Sequence, residues 1–334
     1  MKVACLSFTK LGSSLGESLL NLDNKDYSFY HFANSNSQGG IKDILKSTWS
    51  HYDGFIFICA TGIAVRMILP YIESKTKDPA VLVIDDKGKF VISLLSGHIG
   101  GANKLTSYVS KKIGASPVIT TASDARGIDS VDMFAKENDY FIEDIQSLSK
   151  ITALMVNDKK IGLFSEDNNK IKYENINYVD SLTKIPKDIQ GLIIVSSKKE
   201  FEKISILNTI LRPRLINIGI GARKDIQTNL VIKAIEGALD QKGLSKNSIR
   251  SIGTVDVKTD EKGIIEAAEF FRSPLIIFNK EEIKAVQDKF QKSQFVLDTI
   301  GVSSVSEPCA YLLGGQMILN KYKYKGVTVS LAIL

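Results

Sequence analysis

Short apolar runs alternate with helix-patterned segments along most of this chain. The predicted strands lie at residues 3–8, 54–59, 80–84, 90–94, 118–121, 191–195, 215–218, 252–257, 275–278 and 325–334. The DDKGK turn at residues 85–89 predicts that the strands at 80–84 and 90–94 form a hairpin. Strands that alternate with helices favour βα units and a mostly parallel sheet. The sequence therefore predicts an α/β fold, with two α/β domains of largely parallel sheets joined by a small middle module.

The character of the sequence changes twice along its length. Residues 1–138 predict an N-terminal α/β domain, whereas residues 139–212 are rich in Lys, Asn, Asp and Ser and contain only scattered short strands. Pro213 marks the next boundary, because proline interrupts regular structure. Residues 213–334 return to strand and helix patterns and predict a C-terminal α/β domain. A chain of 334 residues is long enough for two or three domains.

The charge balance argues against nucleic acid as a partner. Lys and Arg total 43 against 37 Asp and Glu, which gives a net charge of +6. This mild excess suits an anionic ligand. It is too weak to indicate nucleic acid, and no dense basic run or nucleic-acid-binding motif is present. For the charge alone, a solvated surface with a few extra lysines is the simpler interpretation.

Cysteine usage and hydropathy favour a soluble, cytoplasmic protein. Cys5, Cys59 and Cys309 are far apart and odd in number, so the sequence supports neither a disulfide framework nor a zinc site. Residues 54–72 approach the length of a membrane span, but Arg66 lies within this stretch. A charge in the middle of a span is costly. We therefore expect no membrane association.

Ligands of open α/β sheets bind outside the carboxyl ends of strands, so the segments after predicted strands are candidate sites. Residues 95–103 read LSGHIGGAN and connect a strand to a helix. His98 is a candidate general acid or base, and Ser96 a candidate nucleophile or hydrogen-bond donor. The backbone amides of the loop, and Asn103 at its end, are candidate contacts for an oxyanion or a carboxylate. The glycines of the loop are Gly97, Gly100 and Gly101. Alternatively, this is a glycine-rich connection with an incidental histidine.

The segment at residues 60–66 follows another predicted strand. Gly62 allows a ligand to approach the backbone, and a helix that begins at Thr61 favours an anion. Arg66 adds a candidate carboxylate contact. The alternative is that Thr61 caps the helix and Arg66 extends to the surface.

A third candidate segment, residues 120–127, reads TTASDARG. Asp124 is a candidate to orient His98 or to bind the substrate, and Thr121 offers a hydroxyl group. A turn that is capped by its Ser and Asp side chains explains the same residues equally well.

Two further segments lie in the C-terminal part. Residues 219–223 read GIGAR and resemble the start of a dinucleotide-binding loop, but Lys224 occupies the position of the third glycine. An anion-binding turn with Arg223 remains an interpretation of this segment.

The second C-terminal segment is the end of the predicted strand at residues 252–257. Alternation along a strand places Thr254, Asp256 and Lys258 on one face, where they are candidate ligand contacts. Lys321 and Lys323 share a face late in the chain and could add positive charge. An exposed strand face accounts for both sets equally well.

Seven segments together resemble one known family. They are ATGIAVRMILPYI (60–72), DPAVLVIDDKGKFVISLLSGHIGGANKL (78–105), PVITTASD (117–124), GIGARKD (219–225), TVDVKTDEKGI (254–264), GVSSVSEPCAYLLGG (301–315) and NKYKYKGVTVSLA (320–332). In this combination the chain resembles the cobalamin biosynthesis protein G family.

The resemblance implies cobalt-precorrin-5A hydrolase activity in anaerobic cobalamin biosynthesis. Members of this family are assigned to open the ring-A δ-lactone and to release the methylated bridging carbon as acetaldehyde, which leaves cobalt-precorrin-5B. It also implies N-terminal, middle and C-terminal domains. Its substrate would be a large macrocycle with many carboxylates, for which Arg66, Arg223 and Lys258 are then candidate clamps.

We expect no cofactor, because the cobalt travels with the substrate, and no protein-bound metal, because a single histidine is a poor ligand set. The sequence leaves a homodimer open. Two other functions also remain open at this stage: a non-catalytic protein that binds corrinoid intermediates, and a cofactor-dependent tetrapyrrole-modifying transferase.

Overall fold

A computed structural model describes residues 1–36, 39–75, 77–121, 130–166, 173, 176–202, 204–256 and 260–334. Two compact units make up the chain, Met1–Phe134 and Ala135–Leu334.

The first unit is built on a single sheet. Its elements are β1 (Lys2–Ser7), α1 (Lys10–Leu19), β2 (Ser28–Ala33), α2 (Gly40–Thr48), β3 (Gly54–Ile58), α3 (Thr61–Ile68), β4 (Ala80–Ile84), β5 (Phe90–Leu95), α4 (Ala102–Ile113), β6 (Ser116–Val118) and α5 (Val131–Glu137), which crosses the unit boundary. All residues of β3 and β4 are buried, as expected for central strands covered on both faces.

Strand direction reverses within this sheet. The strand order is β2-β1-β3-β4-β5-β6. Strands β1 to β4 run parallel, β5 pairs antiparallel with β4, and β6 is parallel to β5. The predicted hairpin at residues 80–94 is thus confirmed. Its consequence is that β5 and β6 end at the sheet edge where β3 and β4 begin.

The second unit contains two sheets. Its elements are β7 (Tyr140–Ile142), α6 (Ile145–Val156), β8 (Ile161–Ser165), β9 (Asn177–Tyr178), β10 (Gly191–Val195), β11 (Leu207–Pro213), β12 (Ile216–Ala222), α7 (Thr228–Gln241), β13 (Ile249–Val255), α8 (Lys262–Phe270), β14 (Leu275–Phe278), α9 (Lys280–Val286), α10 (Gln294–Ile300), α11 (Ser306–Leu312), β15 (Gln316–Tyr324) and β16 (Val327–Ile333).

Both sheets of the second unit are mixed. One has the order β7-β11-β10-β8-β9, with only β7 antiparallel, and the other has the order β14-β13-β12-β16-β15. In the latter, β12, β13 and β14 are parallel, and β16 pairs antiparallel with both β12 and β15. Together with the first sheet, this confirms the predicted α/β class with mostly parallel strand pairs.

Two helices begin where the residue types alone do not indicate it. Residues 12–16 are glycine and serine rich but helical, because α1 begins at Lys10 and the Thr9 hydroxyl accepts a hydrogen bond from the Gly12 amide at 2.9 Å. Thr228 is the first residue of α7, and its hydroxyl donates to Glu266. The final strand predicted at residues 325–334 is confirmed as β16, which forms a hairpin with β15.

The three cysteines are buried and unbonded to one another. Burial raises the pKa of the Cys59 thiol to about 11 and raises those of Cys5 and Cys309 further. The three thiols therefore pack as apolar side chains of the core. In the described ranges, no helix combines the length and the apolar character that crossing a membrane requires.

Candidate active site and substrate cleft

The LSGHIGGAN segment forms a tight loop between β5 and α4. Ser96 has a positive φ of 56°, and Gly101, with a φ of 87°, precedes the first residue of the helix. The Ala102 amide donates to the Ser96 carbonyl at 3.1 Å, and the Gly101 amide donates to the His98 carbonyl at 3.0 Å. The predicted oxyanion donor at Gly101 is therefore already engaged within the loop.

Glycine is required at position 100 because the backbone there lies close to Ser96. A Cβ atom at this position would lie 2.4 Å from the Ser96 Cβ and 2.8 Å from the Ser96 carbonyl oxygen. A Cβ at Gly97 would lie 2.8 Å from the Asn103 Oδ1 atom. These two glycines keep the loop compact. The described part of the chain makes no hydrogen bond to either amide, so both stay candidate donors.

Asn103 holds this loop in place through hydrogen bonds. Its side chain is buried, accepts a hydrogen bond from the Ser93 hydroxyl at 2.6 Å and donates to the Thr121 hydroxyl at 3.0 Å. Its own amide donates to the Gly97 carbonyl at 2.9 Å. Asn103 thus ties β5, the loop and the segment after β6 together, and this contact positions the predicted residue Thr121.

A carboxylate that the sequence analysis missed lies beside His98. The Asp132 Oδ1 atom is 3.9 Å from the His98 Nδ1 atom, and the two side chains are 8% and 17% exposed. This distance is too long for a hydrogen bond but short enough for an electrostatic contact. Asp132 is therefore a further candidate to orient His98, while the predicted Asp124 lies outside the described residues.

Among the described residues, no base is hydrogen-bonded to the Ser96 hydroxyl. The residue is 9% exposed, and its hydroxyl oxygen is buried without a hydrogen-bond partner among the described residues. An activated serine is hydrogen-bonded to the group that removes its proton. The geometry assigns Ser96 to the strained turn of the loop instead.

Thr61, Gly62 and Arg66 lie at the opposite edge of the same sheet. They follow β3, whose last residue, Ile58, pairs with Ile84 at the end of β4. Leu95, which leads into the histidine loop, pairs with Val81 at the start of β4. The three positions from Val81 to Ile84 separate the two edges by roughly 10 Å along the strand.

Arg66 shows no ligand-directed geometry. Its Nη1 atom donates to the Gly62 carbonyl at 3.1 Å, so that the side chain folds back on its own helix. The structure therefore does not bring this predicted group together with His98.

A large cleft of about 1660 Å³ occupies the second unit. It lies outside the carboxyl ends of β12 and β13, where open α/β sheets bind their ligands. Most ligand pockets enclose roughly 300–1,000 Å³, so this one suits a large molecule. Among its described lining residues, seven are Lys or Arg and four are Asp or Glu. The cations are Arg223, Lys224, Lys262, Lys292, Lys321, Lys323 and Lys325.

The predicted C-terminal site residues divide between the cleft and the core. Arg223 and Asp256 line the cleft, and the stem of Arg223 packs over the bare backbone of Gly326. Thr254 does not line the cleft, because it is fully buried and its hydroxyl donates to the Ile220 carbonyl at 3.0 Å. Lys258 lies outside the described residues.

The expected anion-binding turn at residues 219–223 is wrong. Gly219 and Gly221 lie within the extended strand β12. A Cβ atom at Gly219 would lie 1.9 Å from the Ser306 carbonyl oxygen, so this glycine lets α11 pack directly on the strand.

An ion pair in the wall of the cleft was also missed. The Lys321 Nζ atom lies 2.8 Å from the Glu307 Oε2 atom, with both side chains largely buried. The sequence offered one signal for it, since Glu307 is the only charged residue in a run that is otherwise apolar or small.

Comparisons with known proteins agree with this architecture. Family models described as Cobalamin synthesis G N-terminal, Cobalamin biosynthesis central region and Cobalamin synthesis G C-terminus match residues 43–124, 130–213 and 216–332. A cobalt-precorrin-5A hydrolase from Salmonella typhimurium is 35% identical over 302 residues, which cover 88% of this chain and 86% of that protein. The chain belongs to the cobalamin biosynthesis protein G family.

Two further relatives support the membership in the cobalamin biosynthesis protein G family. A cobalt-precorrin-5A hydrolase from Priestia megaterium is 34% identical, with 89% of this chain and 82% of that protein covered. A probable cobalt-precorrin-5A hydrolase from Methanocaldococcus jannaschii is 32% identical, with 99% of each chain covered. The predicted resemblance is thus confirmed, and the matched central region extends it to the middle of the chain.

Proposed function

We propose that this chain is a cobalt-precorrin-5A hydrolase that opens the ring-A lactone of its substrate and releases acetaldehyde to give cobalt-precorrin-5B. The observation that carries the proposal is the 35% identity to a hydrolase of that name over 86% of its length. No cofactor forms part of the proposal, since the cobalt is carried by the substrate.

The reaction consumes one water molecule for each acetaldehyde released. Water adds to the lactone, the ester C–O bond breaks, and a carboxylate and a hydroxyl group on the bridging carbon result. That hydroxyl then loses its proton as its carbon becomes the carbonyl of acetaldehyde. The C–C bond to the macrocycle breaks, and its electron pair returns to the conjugated ring. Both stages require a group that accepts and returns a proton.

His98 is our candidate for this acid and base. It is the one histidine of the chain in a glycine-rich loop at the end of a strand, and its side chain is partly accessible. The Asp132 carboxylate lies 3.9 Å from the imidazole and so places a negative charge beside the group that would carry the proton. The amides of Gly97 and Gly100 are candidate donors to the developing oxyanion.

The cleft of the second unit is our candidate for binding the macrocycle. Its volume of about 1660 Å³ suits a ring of that size, and its excess of cations suits the peripheral acetates and propionates. Arg223 contributes one such contact. Asp256, on the same lining, is a candidate acceptor for a protonated or amide group.

The test is anaerobic incubation of the purified chain with cobalt-precorrin-5A, followed by chemical trapping of acetaldehyde. The proposal predicts acetaldehyde in proportion to the enzyme added. Tight binding of the substrate without acetaldehyde above the blank would instead identify a corrinoid-binding protein. Release that requires added S-adenosylmethionine or a nicotinamide cofactor would indicate a transferase or another cofactor-dependent enzyme.

A further inference from the structure

The wall of the C-terminal cleft holds a lysine in a fixed position. The Lys321 Nζ atom contacts the Glu307 Oε2 atom at 2.8 Å, and the Ser304 hydroxyl donates to the same oxygen at 2.9 Å. Glu307 is 3% exposed. Burying an ion pair costs desolvation energy, so such a pair is weak evidence for a stabilising role alone. An ammonium group carries three donors, so a lysine that lines the cleft and gives one to Glu307 has others to offer.

A second polar group in this wall lacks a partner. Ser306 lines the cleft and is 1% exposed, and its hydroxyl makes no hydrogen bond within the described ranges of the chain. Leaving a buried hydroxyl unpaired costs about 1–3 kcal/mol. A ligand that accepts a hydrogen bond from this group would offset that cost.

Two exposed cations also line the cleft. Arg223 and Lys323 form no ion pair with any described residue. Glu307, by contrast, cancels the charge of Lys321. Two functions are therefore divided among the residues of the cleft. The exposed Arg223 and Lys323 attract an anion. The more buried donors, Lys321 and Ser306, recognise the geometry of that anion.

We propose that Lys321 and Ser306 form a deep subsite that binds one peripheral carboxylate of the macrocycle, with Glu307 as the positioning residue that fixes the Lys321 ammonium. A rotation about the Cα–Cβ bond of Ser306 turns its hydroxyl to the bound carboxylate. The inference rests on the proposed function for the class of macrocycle, but the binding it describes does not depend on turnover.

The probe for this subsite is dicyanocobyrinic acid, a corrin whose peripheral side chains are free carboxylates. Cyanide occupies the axial positions of its cobalt, so that protein side chains cannot bind the metal. Dicyanocobinamide, in which amides replace the carboxylates, is the matched ligand. The dissociation constants of both are measured by absorbance titration, with the melting temperature of each variant recorded beside them.

Ser306→Ala is the central variant, and Ser248→Ala is its control. Ser248 is also a fully buried serine of the second unit with an unpartnered hydroxyl, but it does not line the cleft. Removing an unpaired buried hydroxyl should leave the melting temperature of both variants unchanged or raised. We expect Ser306→Ala to weaken binding of the acid about tenfold, as for loss of a hydrogen bond to a charged group, and Ser248→Ala to bind like the wild type.

The salt dependence of the dissociation constant distinguishes long-range charge attraction from the specific hydrogen bonds of the subsite. Lys323→Gln should weaken binding and lower its dependence on salt, whereas Lys233→Gln, an exposed lysine of α7 outside the cleft, should change neither. Ser306→Ala should keep the salt dependence of the wild type. Lys321→Met should weaken binding at least as much as Ser306→Ala. Its folding is checked separately, because the substitution leaves Glu307 unpaired.

Three results would overturn the subsite. They are wild-type affinity of Ser306→Ala for the acid, equal weakening by Ser306→Ala and Ser248→Ala, and equal affinity of the wild type for the acid and the amide. The proposed function fails independently of these. If acetaldehyde is released but Ser306→Ala keeps the wild-type KM, the subsite is wrong and the hydrolase stands. If no acetaldehyde is released but the binding pattern holds, the subsite stands.

Discussion

The Nδ1 atom of His98 lies 3.9 Å from the Oδ1 atom of Asp132. The histidine belongs to the loop after β5 and the aspartate to the first turn of α5, so two separate parts of the first unit bring them together. Asp132 also accepts a hydrogen bond from the Met133 amide at 3.0 Å, which restrains the carboxylate. This pair defines the candidate acid and base of the reaction.

Replacement of His98 by Ala should lower turnover about 10²- to 10⁴-fold, as for loss of a general acid–base group. The dissociation constant for the corrinoid should change little, because the proposed binding cleft lies in the second unit. His51→Ala is the control, since this exposed histidine lies outside the loop. Equal turnover of His98→Ala and the wild type would exclude His98 as the acid or base.

Asp132→Asn should lower kcat while KM stays near that of the wild type. The amide keeps the shape of the side chain but removes the negative charge that lies 3.9 Å from the His98 imidazole. The melting temperature and the dissociation constant for the corrinoid separate a lost charge from a structural effect, because both should stay near their wild-type values. Wild-type kcat, or a fall in kcat that accompanies a lower melting temperature, would contradict the electrostatic role.

Two glycine substitutions test which sheet edge carries the chemistry. Gly100→Ala places a Cβ 2.4 Å from that of Ser96 and should distort the loop and abolish turnover. Gly62→Ala meets only the flexible end of Arg66 at 3.2 Å, and should keep its activity and gain up to about 1 kcal/mol in free energy of unfolding. Loss of activity in a well-folded Gly62→Ala would indicate that the sheet edge with Gly62 and Arg66 belongs to the active site.

The contact between β12 and α11 should not tolerate a side chain. Gly219→Ala would place a methyl group 1.9 Å from the Ser306 carbonyl oxygen, and we expect the free energy of unfolding to fall by about 3 kcal/mol or more. At Gly221 the nearest atom is the Thr328 hydroxyl oxygen at 2.7 Å, which can move, so Gly221→Ala should cost less. Urea denaturation of both variants measures the difference. Equal stabilities would contradict the packing described here.

The free energy of unfolding should fall in mild acid because His31 becomes protonated. Burial lowers the pKa of this residue, whose Nε2 atom lies 2.8 Å from the Ser7 hydroxyl. The unfolded chain binds the proton at about pH 6.5, above the folded pKa, so this contribution is intact above that pH and is lost as pH falls through the folded pKa. Between about pH 8 and about pH 5, the wild type should lose more stability than His31→Gln. A parallel loss in both proteins would contradict the assignment.

The sheet class and the site loop were accessible from sequence because each has a local signal. Buried strands are continuous apolar runs, and the DDKGK turn marks the β4–β5 hairpin. That hairpin already implies that β5 runs backwards, so the separation of Arg66 from His98 follows from a correctly predicted turn. The order and direction of the strands decide which of the loops that follow them lie at the same edge of the sheet.

The contacts that complete both sites were not accessible in this way. Asp132 resembles any acidic residue in a first helical turn, and only the fold brings it beside His98. Gly219 resembles a ligand-binding glycine until α11, which is distant in sequence, packs on it. Glu307 and Lys321 pair across a helix and a strand, and no sequence spacing predicts their contact.

The ratio of acetaldehyde released to cobalt-precorrin-5A consumed tests the central claim most directly. It is measured under anaerobic conditions with the wild type, His51→Ala and His98→Ala in parallel. The hydrolase account predicts equal molar amounts of the two for the wild type and His51→Ala, with both quantities reduced together in His98→Ala. Consumption of the substrate without acetaldehyde, or no consumption at all by the folded wild type, would contradict it.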